Sequence, residues 1–592
     1  VKIAVCGTYL NRLQVGDFTG GKKVILRNTI CGFGLYSQVL AVLKSHKGQY
    51  FIIAGVKSIP IHRFMLKTMK VKNLVILLSC AALLASCKGK GLFGKKKYDK
   101  SEMTGWNYND KNMGGYQIAK TRDQATGPGL VFVQGGTFTM GQTDEDIMGD
   151  FNNIPRRVTV NSFYIDRTEV ANVHYREYIH WLNRVFDPGA DPNYQKILDG
   201  ALPDTLVWRS ELSYNEPLVE YYFRHPGFNN YPVVGVSWKQ ASDFCLWRGD
   251  RVNEGILMQQ GFANKQGIQA QQGEDNFTTK SYLLGLYTPQ PGKTAGSKKN
   301  PLKTAQGTPR TQVTFEDGIL QPGYRLPFEA EWEYAAYGLI NQNPRPSTKE
   351  GKRGEELAMN KQIYPWSHNP NGLRDTRRGS WQGQFLANFK RGSGDFAGVA
   401  GGLNDRAIHT SEVKSFYPNG FGIYNMAGNV SEWVQDVYRP LSLLDYDDLP
   451  APYRGNKYQK LFIADSTSSD PTTRFQRDST GRMKMTDVTD EESKNRRNYQ
   501  RGNVIDYLDG DSLSQSNYGY GITTLISDKS RVYKGGSWND YAYWLSPGTR
   551  RYMEEDQASS TIGFRCAMDR MGSPEGNKRQ TGNWWKTKRQ KR

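Results

Sequence analysis

The stretch from Phe416 to Asp436 reads Phe-Tyr-Pro-Asn-Gly-Phe-Gly-Ile-Tyr-Asn-Met-Ala-Gly-Asn-Val-Ser-Glu-Trp-Val-Gln-Asp and holds the donors with the clearest chemical use. Gly420, Gly422 and Gly428 alternate with Asn419, Asn425 and Asn429. Both residue types tolerate positive φ, so the chain can fold tightly and turn several carbonyls onto one point. With an Asn amide oxygen, that set suits a hard cation such as calcium. A turn-rich core segment without metal is the simpler reading of the same residues.

Other reactive residue types are sparse or misplaced. His174 and His180 fall on one expected helix, but their spacing turns them about 120° apart around its axis, so they cannot share a metal. Glu329, Glu331 and Glu333 follow Pro327 in the early turns of another expected helix. There the helix dipole favours acids, so helix-end stabilisation and hydrogen bonding to buried backbone are simpler roles than general acid–base catalysis. No Gly-x-Ser-x-Gly, Walker loop or zinc-protease motif occurs.

The elements that must position these residues follow from periodicity. Val131 to Gly141 reads as a strand, a glycine turn and a second strand. Arg157 to Ile165 alternates as one half-buried strand. Tyr175, Tyr178, Ile179 and Leu182 recur at helical spacing after Asp166–Asn172. Ser237-Trp238 followed by Gln240 to Trp247 reads as a second helix with an aromatic face. Residues 251–323 and 437–530 read as two long insertions, and Ala263 to Gln306 as a long polar loop.

The chain has 592 residues, 37% of them hydrophobic and 12% aromatic, with 62 glycines. That balance points to turn-rich structure whose core rests on Trp and Tyr. The formal charge of +20 invites a nucleic-acid partner, but no zinc-finger, RRM-type or helix-turn-helix pattern supports one. Residues 65–86 read as a signal peptide ending in Leu84-Ala85-Ser86-Cys87, a bacterial lipobox in which Cys87 is the lipidation site. An ordinary secretory signal with an incidental Cys is the alternative. Residues 1–64 then precede the natural starts Met65 and Met69, and are set aside as upstream sequence. Residues 87–128 form a basic tether and extended lead-in, and 571–592 a basic tail with Trp584 and Trp585. Two acyl chains give stable anchoring, placed here at the periplasmic side of the outer membrane.

Several motifs occur in a fixed order: Tyr231-Pro-Val-Val-Gly-Val-Ser-Trp238, Phe244-Cys-Leu-Trp247, Tyr324-Arg-Leu-Pro-Phe-Glu-Ala-Glu-Trp-Glu-Tyr-Ala-Ala336, the 416–436 stretch, Arg531-Val-Tyr-Lys-Gly-Gly-Ser-Trp538 and Gly563-Phe-Arg-Cys566. In that order they resemble the formylglycine-generating-enzyme, or sulfatase-modifying-factor, family over residues 129–570. The resemblance implies an α+β, C-type-lectin-like fold with low regular secondary-structure content and two long insertions. It implies a Cys245–Cys566 disulfide, worth about 2–5 kcal/mol. It also implies two structural calcium sites, one from Asn388, Phe389, Asp405 and Ala407, the other from Asn425, Met426, Gly428 and Val430.

The family's enzymes hold copper with two cysteines shortly after the Gly-Gly-Ser motif, because soft thiolates retain Cu(I). Here those positions fall on Asp540 and Leu545, which implies no copper and no oxidase chemistry. Related iron-dependent sulfoxide synthases need a His-x3-His-x-Glu helix, a spacing absent here. The lead-in Thr104–Tyr116 further resembles gliding-motility lipoproteins of the Bacteroidota, associated with type IX secretion. This implies a non-catalytic assembly component partnered by other outer-membrane lipoproteins, including a related one of the same fold. The alternatives are altered chemistry using Asp540, Arg550 or Arg551, and a glycan- or peptidoglycan-binding module.

Overall fold

The structure is a computed structural model. It describes strands within residues 24–58 and, from 100 to 573, all but 120–122, 143–147, 149–152, 212, 291–301, 303, 305, 307, 309, 339–361, 367–371, 381, 393–404, 406, 439–455, 457 and 494–528. The expected signal peptide over 65–86, Cys87 and the tail beyond Ser573 lie outside the described residues. The chain divides into residues 1–97 and 98–592. In the first unit, β1 (Val24–Cys31), β2 (Gly34–Lys44) and β3 (Tyr50–Ser58) form an antiparallel meander within the stretch set aside as upstream sequence.

The second unit is built on two four-stranded sheets. One has the order β4 (Leu130–Val133), β7 (Phe163–Asp166), β15 (Ala567–Asp569), β8 (Tyr324–Arg325), with antiparallel neighbours. The other runs β13 (Arg551–Glu554), β12 (Ser530–Lys534), β9 (Ser431–Val437), β14 (Ile562–Phe564), and its β9–β14 pair is parallel. Only Arg565 and Cys566 separate β14 from β15, so these two residues carry the chain from one sheet to the other.

Two expected strands are rearranged. Val133 and Gly136 do not flank a hairpin, because β5 (Gly136–Met140) pairs instead with β6 (Arg156–Val160). Gly135 passes so close to the main chain at Val160 that a Cβ there would sit 2.3 Å from the Val160 carbonyl oxygen. The strand expected over 157–165 breaks at Asn161-Ser162 into β6 and β7, which serve different sheets. Alternation alone does not reveal a change of sheet.

Helix α1 (Asn172–Val185) buries Tyr175, Tyr178 and Leu182, as their spacing predicts. Helix α2 (Trp238–Gln260) starts on a Ser237–Gln240 capping box and ends at Gly261 with φ 81°. It therefore runs well into the 251–323 segment. The polar loop expected over 263–306 is also corrected in its described part. Short helices Lys265–Gln269 and Thr279–Leu283 gather round Leu257, Phe262, Phe277, Tyr282 and Val313. Scattered apolar residues there find one another through tertiary contact with the far end of α2.

In the second insertion, β10 (Gln459–Leu461) pairs with β11 (Met485–Asp487). This hairpin region docks on the first insertion. Asn276 Nδ2 donates to the Thr480 carbonyl at 2.8 Å, Arg477 Nη1 to that of Glu274 at 3.0 Å, and Arg482 Nη2 to that of Asp243, on α2, at 2.9 Å.

Helix α3 (Glu329–Tyr337) is buried throughout, with Phe328 rather than Pro327 at its N-cap. Glu331 caps it, accepting from Phe328 N at 2.9 Å while pairing with Arg325. Glu333 accepts from the buried Gly141 N at 2.8 Å, as expected of an acid serving buried backbone, while Glu329 and Glu333 also enter an ion-pair cluster away from the helix end. Both hold Lys534 Nζ, at 3.1 and 2.9 Å, and Glu329 also accepts from Arg550 Nε at 2.7 Å. Burial works against the Glu329 charge, yet Arg550, Lys534 and Arg156 pull its carboxyl down to about 2. Burial, and then the Glu329 charge, push neighbouring Asp436 up to about 7.

Folded Asp436 thus keeps a proton that the unfolded chain, near 3.8, releases. Its contribution to stability is complete below pH 3.8 and is lost as pH rises through 7. Asp436→Asn is expected to flatten the fall in unfolding free energy between pH 5 and pH 8, read by denaturant titration at each pH. An unchanged slope would contradict this assignment.

Candidate functional site

The 416–436 stretch turns where its sequence permits. Asn425, Gly428 and Asn429 have φ of 50°, 79° and 68°. A Cβ on Gly428 would lie 2.4 Å from the Asn388 carbonyl oxygen, so only glycine lets the two segments approach. Gly428 N donates to Gly535 O at 2.8 Å and Trp538 N to Asn429 O at 2.9 Å, locking this loop to the Gly-Gly-Ser-Trp loop.

The loop's amides converge on a residue that the sequence reading passed over. Asn425 Nδ2 donates to Glu169 Oε2 at 3.1 Å and Asn429 Nδ2 to Glu169 Oε1 at 2.9 Å. Glu169 lies just before α1, far away in sequence, and only its position after Asp166-Arg-Thr hints at it. Burial pushes its carboxyl up to about 8, against the pull of Arg565. Asn425 Oδ1 is buried without a hydrogen-bond partner. That orphaned amide oxygen, with the carbonyls of Met426, Gly428 and Val430 in the same turn, is a donor set of the kind calcium takes.

The other expected calcium set fits less well. Asp405 Oδ1 accepts from Ala407 N at 3.2 Å and lies 3.7 Å from Arg391 Nη2, whose positive charge competes with any metal. The Asn388 amide donates to His409 O at 2.7 Å, and Phe389 is fully buried. Among the described residues, no group of three or more His, Cys, Asp or Glu is placed to hold a metal.

Cys245 and Cys566 are both buried, with their sulfurs 3.0 Å apart. Burial pushes the Cys245 thiol up. Beside them, Cys566 N donates to Asp166 Oδ2 at 2.8 Å, and Arg248 holds both Asp166 oxygens at 2.6 and 2.8 Å.

The loop after Gly-Gly-Ser is closed by an ion pair. Arg551 donates to both Asp540 oxygens at 2.6 Å, and Ser537 Oγ lies 2.5 Å from Asp540 Oδ2. The Arg551 guanidinium sits over the Tyr533 and Trp544 rings. Leu545 is fully buried in a cluster with Phe389 and Ala427. Of the three residues considered for altered chemistry, Arg550 points instead to Glu329.

Residues 116–570 match the sulfatase-modifying factor enzyme 1-like domain. The chain is similar to the mouse formylglycine-generating enzyme, at 22% identity over 52% of this chain and 58% of that protein. It thus spans little more than half of that relative. It is also similar to the mouse inactive C-alpha-formylglycine-generating enzyme 2, at 25% identity over 53% of this chain and 71% of that one. The formylglycine-generating enzyme of Thermomonospora curvata matches at 23% identity over 54% of this chain and 75% of that one. Relatives named as active and as inactive thus stand at similar distance. By the extent of the domain match, the chain belongs to the sulfatase-modifying-factor family.

Proposed function

We propose that this chain is a non-catalytic member of the family, anchored by lipid at Cys87 to the periplasmic side of the outer membrane. There it serves as an assembly component of the type IX secretion and gliding machinery, beside other outer-membrane lipoproteins that include one of the same fold. The observation that carries the non-catalytic reading is the filled loop after Gly-Gly-Ser. Asp540 is held on both oxygens by Arg551, and Leu545 is sealed in a core. Neither is a thiolate, the donor class that retains Cu(I). An oxidase at this loop would need both positions rebuilt.

Calcium has a structural role in this reading, at the Asn425 side chain and the carbonyls of Met426, Gly428 and Val430, near buried Glu169. The ion would neutralise a carboxylate whose burial is otherwise costly. At the Asn388–Asp405 set Arg391 stands 3.7 Å from Asp405 Oδ1 and shares that charge.

Three outcomes are expected. The purified chain loaded with Cu(I) leaves a cysteine-bearing sulfatase-type peptide unoxidised under oxygen; formylglycine in the product, seen by mass, would refute the reading. Millimolar calcium raises the melting temperature by several degrees and Asn425→Ala abolishes the rise; indifference of the unaltered chain to calcium would remove the metal. In cells fed labelled palmitate, Cys87→Ala loses the label, and the tagged chain copurifies from gently solubilised outer membranes with secretion-apparatus lipoproteins. Recovery with sugar-processing proteins alone would count against the scaffold.

A further inference from the structure

Residues 100–118 fold on themselves into a small knob. Lys100 bridges Asn107 across a first turn, in which Ser101 N donates to Trp106 O at 2.8 Å. In a second turn Asn109 N donates to Tyr116 O at 2.8 Å. Ile118 N donates to Asn109 Oδ1 at 2.9 Å, and Asn109 Nδ2 to Ile118 O at 3.2 Å. Gly114 brings the two turns together: its φ is 78°, and a Cβ there would sit 3.0 Å from Trp106 Cζ3.

The knob turns apolar side chains outward. Met103 is 91% exposed, Tyr116 66%, Trp106 56% and Ile118 45%. Single exposed apolar residues are ordinary, but four on one short segment mark a contact surface. The chain on either side says what meets it. Downstream, it is tied to the second unit, where Gln124 Nε2 donates to Asp569 O at 3.0 Å and Gln321 Nε2 to Ala125 O at 3.1 Å. Upstream, residues 88–100 include six Lys and one acid, Asp99. Clustered Lys beside a membrane attachment draws a chain to anionic headgroups. Trp and Tyr settle at the level of those headgroups, with an apolar body and a polar tip. Lys100 follows Cys87 by thirteen residues, a length that spans at most about 45 Å fully extended. A lipid at Cys87 therefore keeps the knob close to a bilayer.

We propose that the 100–118 knob seats on an anionic lipid surface, with Met103, Trp106, Tyr116 and Ile118 at the headgroup–acyl boundary. The choice of a bilayer as occupant rests on the reading of Cys87 as a lipid anchor. The contact itself needs no acyl chain, so it is measured without one.

The test is co-sedimentation of the chain from residue 88 onward, unacylated and containing the whole of the 98–592 unit. The vesicles are phosphatidylcholine alone, or phosphatidylcholine with phosphatidylglycerol. Binding to the anionic vesicles is expected, weaker on pure phosphatidylcholine and weakened by salt. Replacing Trp106 and Tyr116 together by Ser should lower it about tenfold. The same change at Tyr214 and Tyr221, which are also exposed, should leave it unaltered. Matching melting curves show that both variants fold. Absence of binding to the anionic vesicles, equal binding to both kinds, or undiminished binding by the Trp106/Tyr116 variant would each overturn the proposal. The last outcome would move the contact to another segment, such as the basic tail with Trp584 and Trp585. Loss of the palmitate label at Cys87 is a separate readout, so failure of the anchor and failure of the knob are told apart.

Discussion

The buried pairing of Arg565 with Glu432 is the interaction on which the rest of the second unit depends. Both side chains are fully buried, and Arg565 Nε lies 2.5 Å from Glu432 Oε2. The same guanidinium donates to the carbonyls of Asp166 and Tyr424, and Trp332 Nε1 donates to Glu432 at 2.7 Å. One arginine at the crossover between the sheets thus gathers β7, β9, α3 and the asparagine loop. Removing one partner of such a pair leaves an uncompensated buried charge, typically about 3–5 kcal/mol destabilising.

Around this centre the molecule keeps a shell built for ligands while one part of it is closed. Glu169, Asn425 and Asn429 are mutually oriented, with an amide oxygen left over. Hydrogen-bonded to that turn, the loop after Gly-Gly-Ser holds an Arg551–Asp540 ion pair and a buried leucine. The two outcomes share one physical logic, since a buried polar group must be answered by an ion, a partner or a ligand.

The insertions follow the same logic on a larger scale. Their composition reads as solvated loop, yet their described parts contain a small apolar core and are joined by main-chain hydrogen bonds. Arg482 then ties the second insertion to α2 through Asp243. The result is a composite surface that neither segment makes alone.

Local chemistry was legible in the sequence wherever the cause lay within a few residues. The spacing of Tyr175, Tyr178 and Leu182 marks α1, Ser237 and Gln240 mark the start of α2, and the positive-φ turns fall on Asn425, Gly428 and Asn429. The absence of thiols at positions 540 and 545 was equally plain. What only the tertiary structure decided is pairing across distance: Glu169 with Asn425, Asp540 with Arg551, β5 with β6 rather than β4. Periodicity and capping act along the chain. Ion pairs, sheet partners and orphaned donors arise only when distant segments are buried against one another, and there the cost of an unanswered polar group selects the partner.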